Sequence, residues 1–97
     1  MVTADELPDP YRLEMTCTVV REGRELFAGS ISTSKLHRRL ETLIEYLTRA
    51  NRVPCGTVVL TGTGIIVPAE AAIAPGDTVT IRVAEIGELT NRAVIAE

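Results

Sequence analysis

Apolar and polar residues alternate along the first third of the chain, which is typical of strands with one buried face. The apolar positions of the first predicted strand are Leu13, Met15, Cys17 and Val19. Residues 21–24 read Arg-Glu-Gly-Arg, and the glycine can supply the positive φ that a tight turn requires. Residues 25–31 are then predicted to return as a second strand. The pattern therefore predicts a β-hairpin.

A second alternating region lies near the end of the chain. Residues 74–77 (Ala-Pro-Gly-Asp) place proline and glycine where a type II turn requires them. Residues 78–86 then alternate and predict a strand, which Gly87 ends, and residues 88–95 predict the last strand. Between the two regions, residues 57–60 (Thr-Val-Val-Leu) predict a short buried strand.

Leucine and isoleucine recur at intervals of three and four residues in the middle of the chain, as on one face of an α-helix. These positions are Leu36, Leu40, Leu43, Ile44 and Leu47. Residues 32–34 (Ser-Thr-Ser) offer N-cap side chains before them, and Glu45 and Arg49 form a favourable pair one turn apart. We therefore expect one long amphipathic helix whose apolar stripe packs against the inner face of the sheet.

Together these elements predict a β-rich α+β fold, with a bent, mostly antiparallel sheet and one long amphipathic helix. The chain of 97 residues is long enough for a single domain, residues 1–97, and too short for two separate cores. Pro8 and Pro10 lie among acidic residues at the start of the chain, and we expect the first ten residues to form an extended segment.

Composition narrows the class of protein. Hydrophobic residues make up 45% of the chain and charged residues 24%, which excludes intrinsic disorder. No apolar run approaches the ~20 residues that span a bilayer, and a net charge of −3 argues against a nucleic-acid-binding surface. Because no secretion signal precedes the first strand, we expect a cytoplasmic protein with reduced cysteines. Cys17 is expected to fill the core, and Cys55 to lie in a loop without a catalytic partner.

A short basic cluster precedes and enters the predicted helix. It comprises Lys35, His37, Arg38 and Arg39. We interpret it as a solvated face, partly neutralised by Glu41 and Glu45, and an anion site is the alternative. His37 is the only histidine of the chain, which excludes a metal site with several histidines. It also does not support a catalytic triad.

Residues 61–64 (Thr-Gly-Thr-Gly) are the most informative motif of the chain. Glycine leaves the backbone N–H groups unhindered, and threonine adds hydroxyl donors, so such a loop can hold a carboxylate or an oxyanion. The spacing alone favours the alternative, an ordinary turn. The loop is not a dinucleotide fingerprint, because Val67 occupies the place of the third glycine.

Residues 2–10 (Val-Thr-Ala-Asp-Glu-Leu-Pro-Asp-Pro) are followed in order by Thr33-Ser34 before a helix with Tyr46-Leu47, and by residues 56–64, 75–79 and 86–91. Together these segments resemble the C-terminal part of the catalytic domain of the fumarylacetoacetate hydrolase superfamily. Several spaced matches across nearly the whole chain are far more specific than any one of them. The resemblance implies that the sheet and the helix form part of that family's fold.

Members of this superfamily hydrolyse carbon–carbon bonds in oxo acids and diketo acids, or decarboxylate, isomerise or dehydrate them. The resemblance implies a divalent ion, usually magnesium, on a Glu-x-Glu pair and an aspartate, where it chelates the substrate and polarises its carbonyl group. It also implies that Thr61, Gly62, Thr63 and Gly64 form the substrate-binding loop. In that loop Thr63 contacts the substrate carboxylate, and Gly62 permits close approach of the backbone.

The chain departs from the family pattern at the metal site. The family's metal carboxylates, its active-site lysine and its lid histidine all precede the matching segment, and no two glutamates of this chain are separated by one residue. Asp5, Glu6 and Asp9 match family positions outside the metal site, and His37 does not correspond to the lid histidine. We therefore assign no catalytic residue, no metal ligand and no cofactor to this chain alone.

Three hypotheses about function follow. The first is one part of an enzyme, which binds a small oxo acid and needs a complementing polypeptide for its metal site. The second is a non-catalytic module that binds a small acid or serves a structural role, and the third is a repurposed metal-independent enzyme. We also expect a homo-oligomer, held by sheet edges and by residues 65–67 (Ile-Ile-Val). A monomer in which residues 71–74 cover that surface is the alternative.

Overall fold

The structure is a computed structural model that describes residues 2–96. Its strands are β1 (Glu14–Arg21), β2 (Arg24–Ser32), β3 (Thr78–Val83) and β4 (Gly87–Arg92), and its α-helix is α1 (Leu40–Thr48). Short 3₁₀ turns lie at Ala4–Glu6, Thr33–Lys35 and Ala69–Ala71. The strands form one antiparallel sheet in the order β2-β1-β3-β4. The predicted antiparallel sheet is therefore confirmed, with β1 and β3 at its centre.

The hairpin between β1 and β2 closes through a two-residue turn. Arg21 pairs with Arg24, and the two residues between them, Glu22 and Gly23, have φ of +51° and +75°. Positive φ at both central residues is the geometry of a type I′ turn, whose twist matches the twist of the flanking strands. The second hairpin, β3 and β4, begins after the type II turn that the sequence predicted. In that turn Gly76 has φ of +93°, and the Asp77 N–H donates to the Ala74 carbonyl at 3.1 Å.

The core of the described residues is small. Val19 on the central strand β1 is fully buried, and the other buried apolar residues are Leu13, Ala71 and Val83. Leu13 precedes β1 and is held there by two hydrogen bonds to Thr33. Its N–H donates to the Thr33 hydroxyl at 2.9 Å, and its carbonyl accepts from the Thr33 N–H at 2.8 Å. The start of β1 is thus joined to the end of β2.

The prediction of one long helix is wrong, because α1 has only nine residues. Helix α1 begins only at Leu40 because Arg39 has an extended backbone, with φ −72° and ψ 151°. The serine and threonine residues that the sequence offered as caps instead form the 3₁₀ turn Thr33–Lys35, where the Ser32 side chain accepts from the Ser34 N–H. The N-terminus of α1 is served by Tyr11, whose hydroxyl accepts from the Leu40 N–H at 2.9 Å.

The apolar stripe of the helix does not lie under the sheet as predicted. No residue of α1 is buried; Leu40, Leu43 and Leu47 are half-buried, and Ile44 is 58% exposed. Within residues 2–96, extensive contacts between elements join only neighbouring strands. The predicted Glu45–Arg49 pair is present, with 3.0 Å between Glu45 Oε1 and Arg49 Nη2. No helix among residues 2–96 has the length and apolar character needed to cross a membrane.

The prediction of a short buried strand at residues 57–60 is also wrong. The segment belongs to no strand, and the side chains of Val58 and Leu60 are 80% and 91% exposed. Its composition favours a strand, but the described residues provide no strand for it to pair with. At the start of the chain, the segment expected to be extended contains the 3₁₀ turn Ala4–Glu6.

An ion pair between the partly exposed Arg21 and the buried Asp77 joins the two hairpins. Asp77 is fully buried, and its two carboxylate oxygens accept from Nε and Nη2 of Arg21, each at 2.8 Å. Asp77 also accepts from the Ala74 N–H at 2.9 Å, and Arg21 Nη2 donates to the Ala72 carbonyl at 3.1 Å. The hydrogen bonds from Arg21 are the main reason that the pKa of Asp77 falls to about 2. The pair ties the turn before β3 to the end of β1.

Replacement of Asp77 by asparagine removes the charge while preserving the shape of the side chain. We expect Asp77→Asn to lower the thermal midpoint by about 10 °C, because it weakens charge-assisted hydrogen bonds and leaves Arg21 unpaired. Because the pKa of Asp77 is lowered on folding, its contribution to stability is present above about pH 4 and is lost as the pH falls toward about 2. Thermal melts across this pH range measure both effects. The exposed Glu88→Gln on β4 is the control, and equal midpoints for the two variants at pH 7 would contradict the assignment.

Candidate functional site

A single pocket brings together the Thr-Gly-Thr-Gly loop and the basic cluster. Its volume is about 430 Å³, and it lies beside the end of β2. The lining residues are Met15, Ile31, Ser32, Thr33, Lys35, Leu36, His37, Arg38, Leu43, Thr61, Gly62, Thr63 and Gly64. All four residues of the predicted substrate-binding loop, Thr61, Gly62, Thr63 and Gly64, are therefore part of this lining.

The lining divides by chemistry. Met15, Ile31, Leu36 and Leu43 supply an apolar surface, and the serine and threonine residues supply hydroxyl groups. The charged groups are cationic, and among residues 2–96 no aspartate or glutamate lines the pocket. A concave site with apolar walls and a few convergent polar groups is the usual form of a small-molecule site. The sign of the charge favours an anionic molecule.

Glycine allows the loop to lie directly on β2. A Cβ atom at Gly64 would overlap Cδ1 of Ile31, and a Cβ atom at Gly29 would lie 3.1 Å from Cγ2 of Ile65. A larger side chain at Gly64 would displace the Ile31 side chain, and one at Gly29 would displace the Phe27 ring and crowd the Ile65 side chain. The close approach of residues 64 and 65 to β2 therefore determines where the loop lies.

The loop itself is rich in free donors. Within residues 2–96, the backbone N–H groups of Gly62, Thr63 and Gly64 donate to no protein acceptor. The Thr63 hydroxyl accepts from the Ile65 N–H at 3.1 Å, which orients it within the loop. Gly62 has φ of +93°, a backbone conformation that favours glycine. A loop of this kind offers N–H and O–H donors to a carboxylate.

The structure separates the basic cluster into two parts. Arg39 lies over the Tyr11 ring, with 4.2 Å from its guanidinium carbon to the ring centre, and is paired with Glu41 at 3.6 Å. Lys35, His37 and Arg38 line the pocket instead. All four residues are exposed, as the interpretation of the cluster as a solvated face expects. The sequence did not indicate that three of them lie close to the loop. That proximity depends on the non-helical backbone of residues 36–39, which no periodicity indicates.

The pocket does not fit a magnesium ion. Magnesium requires oxygen ligands that include carboxylates, whereas this lining is cationic and contains none. Within residues 2–96, no group of three or more histidine, cysteine, aspartate or glutamate residues is placed to hold a metal ion. Cys17 is half-buried and Cys55 is exposed, and neither forms a disulfide.

Comparisons with known proteins identify similar sequences. The family model described as fumarylacetoacetate (FAA) hydrolase C-terminal matches residues 1–94. A 2-dehydro-3-deoxy-D-arabinonate dehydratase from Saccharolobus solfataricus is 43% identical over 89 residues, which cover 92% of this chain and 30% of that protein. A probable 2-keto-3-deoxyxylonate dehydratase from Haloferax volcanii is 36% identical over 91 residues, which cover 94% of this chain and 32% of that protein.

A solved structure has the same fold over this region. The structure of 2-keto-3-deoxy-D-arabinonate dehydratase complexed with magnesium and 2,5-dioxopentanoate is similar with a TM-score of 0.92 and 41% identity. The match covers 96% of this chain and 33% of that chain. The present chain therefore spans about a third of the length of the relatives that it matches.

The contact between Gly64 and Ile31 can be tested by a paired substitution. We expect Gly64→Ala to lower the thermal midpoint by at least about 4 °C and to shift the NMR signals of residues 61–65, because the new methyl group overlaps Ile31 Cδ1. Ile31→Val removes only that carbon atom, so the double variant should recover most of the loss. A double variant no better than Gly64→Ala alone would show that this contact does not determine the position of the loop.

Proposed function

The chain belongs to the fumarylacetoacetate hydrolase C-terminal family, and on this premise we propose that it binds the carboxylate of a 2-oxo acid that is to be dehydrated. The observation that carries the proposal is the pocket in which the donor-rich loop and three basic or imidazole side chains meet without a carboxylate. The 2-oxo acid named with a similar structure, 2,5-dioxopentanoate, supports the ligand class. The two dehydratases among the relatives support dehydration as the reaction and sugar-derived oxo acids as substrates.

Each part of the loop has a defined role in this proposal. The Thr63 hydroxyl accepts a hydrogen bond from the Ile65 N–H at 3.1 Å and donates to the Ile65 carbonyl at 3.4 Å. In this proposal the substrate carboxylate replaces that long hydrogen bond and accepts the hydroxyl proton. The N–H groups of Gly62 and Gly64 add further donors, and the absence of a side chain at Gly62 permits the substrate to approach the backbone. Lys35 and Arg38 add positive potential that stabilises the bound anion. The chain thereby orients the substrate and holds its negative charge.

We further propose that residues 1–97 form a single domain that provides only the substrate side of the active site. The metal-binding carboxylates of the family would come from another polypeptide segment, since the lining of this pocket does not fit magnesium. The free thiols of Cys17 and Cys55 support a reducing, cytoplasmic location.

The large exposed surface area of the chain supports the proposal that another polypeptide segment covers part of it. The protein exposes 7996 Å², whereas a compact monomer of this size exposes about 5,400 Å². Its radius of gyration of 16.0 Å exceeds the value of about 12.5 Å that is typical of a compact domain of this length. The excess area, roughly 2,600 Å² on this partner alone, corresponds to about 5,200 Å² over two partners, at the upper end of the range of obligate interfaces.

Residues 57–60 are the best candidate for the centre of that interface. Val58, Val59 and Leu60 are apolar and belong to no helix or strand, and the structure leaves Val58 and Leu60 almost fully exposed. A segment with unpaired backbone groups can accept a strand from another polypeptide. We propose that its occupant is the metal-binding part of the domain. When that part is not bound, copies of this chain self-associate through the same surface and through Ile66, which is 83% exposed. Ile65 contributes less, because it packs on β2.

A non-catalytic acid-binding module is the second candidate function. It is favoured by one observation, the absence of a metal-binding carboxylate group within residues 2–96. Both candidates predict binding of an oxo acid, and only the first predicts activity after a metal-binding segment is added.

The binding role of Thr63 is tested with pyruvate as the probe. We expect Thr63→Val to weaken pyruvate binding by about tenfold, because one hydrogen bond to a charged group is lost. Thr63→Ser keeps the hydroxyl group and should retain most of the affinity. Titration calorimetry or NMR titration of the full chain measures these affinities, with Thr90→Val on β4 as the control. Equal affinity in Thr63→Val and the unchanged protein would contradict the proposed role.

Activity is tested by complementation. We expect the chain to form a stable complex with the part of the Saccharolobus solfataricus dehydratase that it does not match. With magnesium, that complex should dehydrate 2-dehydro-3-deoxy-D-arabinonate. The pair Val58→Asp and Leu60→Asp should abolish co-purification, because charges would be buried in the interface, whereas Tyr46→Asp on the exposed face of α1 should not. A complex without activity would favour the non-catalytic module. A chain that stays monomeric in sedimentation and forms no complex would overturn the association.

A further inference from the structure

We propose that Tyr11 is a positioning residue of the candidate site, whose hydroxyl group holds residues 35–39 on the non-helical path that carries Lys35, His37 and Arg38 to the pocket. Tyr11 is not among the residues that line the pocket, so it acts on a ligand only through that segment. The inference rests on the proposed function for its effect on ligand binding. The position of the segment itself can be measured without any ligand.

The backbone just before α1 belongs to no helix or strand. Leu36 and Arg39 have ψ of 118° and 151°, far from the value of about −42° in an α-helix. Within residues 2–96, the N–H groups of His37, Arg38 and Arg39 donate to no protein acceptor. The local sequence does not break the helix either, because residues 35–48 contain neither glycine nor proline. The path of the segment therefore depends on contacts at its two ends.

The start of the segment is held through Thr33. The Thr33 hydroxyl donates to the Pro10 carbonyl at 2.7 Å and accepts from the Leu13 N–H at 2.9 Å. Leu13 is buried, so this end of the segment is attached to the core. These contacts do not involve the Tyr11 side chain, and they leave the far end of the segment to be fixed separately.

Tyr11 holds that far end. Its hydroxyl accepts from the Leu40 N–H at 2.9 Å and donates to Glu41 Oε2 at 2.5 Å, so one group uses both its acceptor and its donor. The N-cap residue, Arg39, gives the helix no side-chain hydrogen bond, and its guanidinium group lies over the Tyr11 ring. The Tyr11 N–H donates in turn to Asp9 Oδ1 at 2.9 Å. Tyr11 thus supplies from a distance the cap that α1 lacks locally.

The position of the segment is tested by NMR without ligand. Tyr11→Phe keeps the ring over which Arg39 lies and removes only the hydroxyl group. We expect it to shift the signals of residues 35–38, including the imidazole signals of His37, the only histidine of the chain. Exchange of the Leu40 amide proton should become about fivefold faster, the scale of one hydrogen bond.

Tyr46→Phe is the matched control. Tyr46 also lies under an arginine, with 4.7 Å from the guanidinium carbon of Arg49 to the ring centre. It is 61% exposed on the same helix and lies outside the pocket lining, so this variant should leave the signals of residues 35–38 unchanged. The same unchanged signals in Tyr11→Phe would overturn the inference.

The effect on the site is measured by titrating the full chain with pyruvate at low ionic strength. We expect Tyr11→Phe to weaken pyruvate binding by about threefold and to make the affinity less dependent on salt, because displaced Lys35 and Arg38 contribute less positive potential. Pyruvate should shift the His37 imidazole signals in the unchanged protein and in Tyr46→Phe, and much less in Tyr11→Phe. Circular dichroism melts check that each variant remains folded.

The outcomes separate this inference from the proposed function. Pyruvate binding that Thr63→Val weakens, and that a folded Tyr11→Phe leaves unchanged in affinity, salt dependence and His37 response, would support the proposed function and overturn the role of Tyr11. No pyruvate binding by the unchanged protein would overturn the proposed function. The comparison without ligand would then still decide whether Tyr11 holds the segment.

Discussion

The ion pair between Arg21 and Asp77 connects the first hairpin to the turn that begins the second. Its partners are separated by 56 positions in the chain, and the pair holds the turn before β3 against the last residue of β1. Because β3 can then align beside β1, residues from both hairpins enclose Val19 at the centre of the sheet. The carboxylate is fully buried, and it is satisfied by hydrogen bonds from Arg21 and from the Ala74 N–H. A buried charge is tolerated only when it is paired in this way.

The candidate site depends on a different constraint, the close contact of a loop with a strand edge. Gly29 and Gly64 have no side chains of their own, so the Ile65 side chain lies against Gly29 and the Ile31 side chain lies against Gly64. The same strand leads directly into the 3₁₀ turn Thr33–Lys35, whose continuation carries Arg38 to the pocket. One strand thus positions both the loop and the basic side chains. The site is built from local backbone geometry rather than from the core.

The small core and the large apolar surface have a common explanation. Only four apolar residues are buried among those described, and conformational entropy opposes the ordering of every residue. The exposed side chains of residues 57–60 and of β4 therefore represent burial that a partner segment can provide. The chain spans about a third of its relatives, and we propose that this surface is one side of an interface. Under that proposal, stability and function depend on the same contacts.

Local patterns in the sequence determined the first hairpin, its turn and the approximate positions of β3 and β4. Residues 84–86, predicted as part of a strand that Gly87 ends, instead form the turn between β3 and β4, and Gly87 begins β4. Alternation identified the strands, Gly23 identified the first hairpin turn, Gly76 identified the turn before β3, and the Thr-Gly-Thr-Gly motif identified the loop that lines the pocket. These features depend on the backbone preferences and side-chain periodicity of a few neighbouring residues, which the sequence contains directly. The resemblance of several spaced segments likewise identified the family, which the comparisons bear out.

Tertiary structure alone decided the rest. The start of α1 depends on the distant Tyr11 hydroxyl, and the exposure of residues 57–60 depends on the lack of a pairing strand. Arg21 and Asp77 meet only when the hairpins are assembled, and no local pattern marks them as partners. The basic cluster likewise reaches the loop only because the backbone of residues 36–39 is not helical. Contacts between residues far apart in the chain decide such features, and a periodicity carries no information about those contacts.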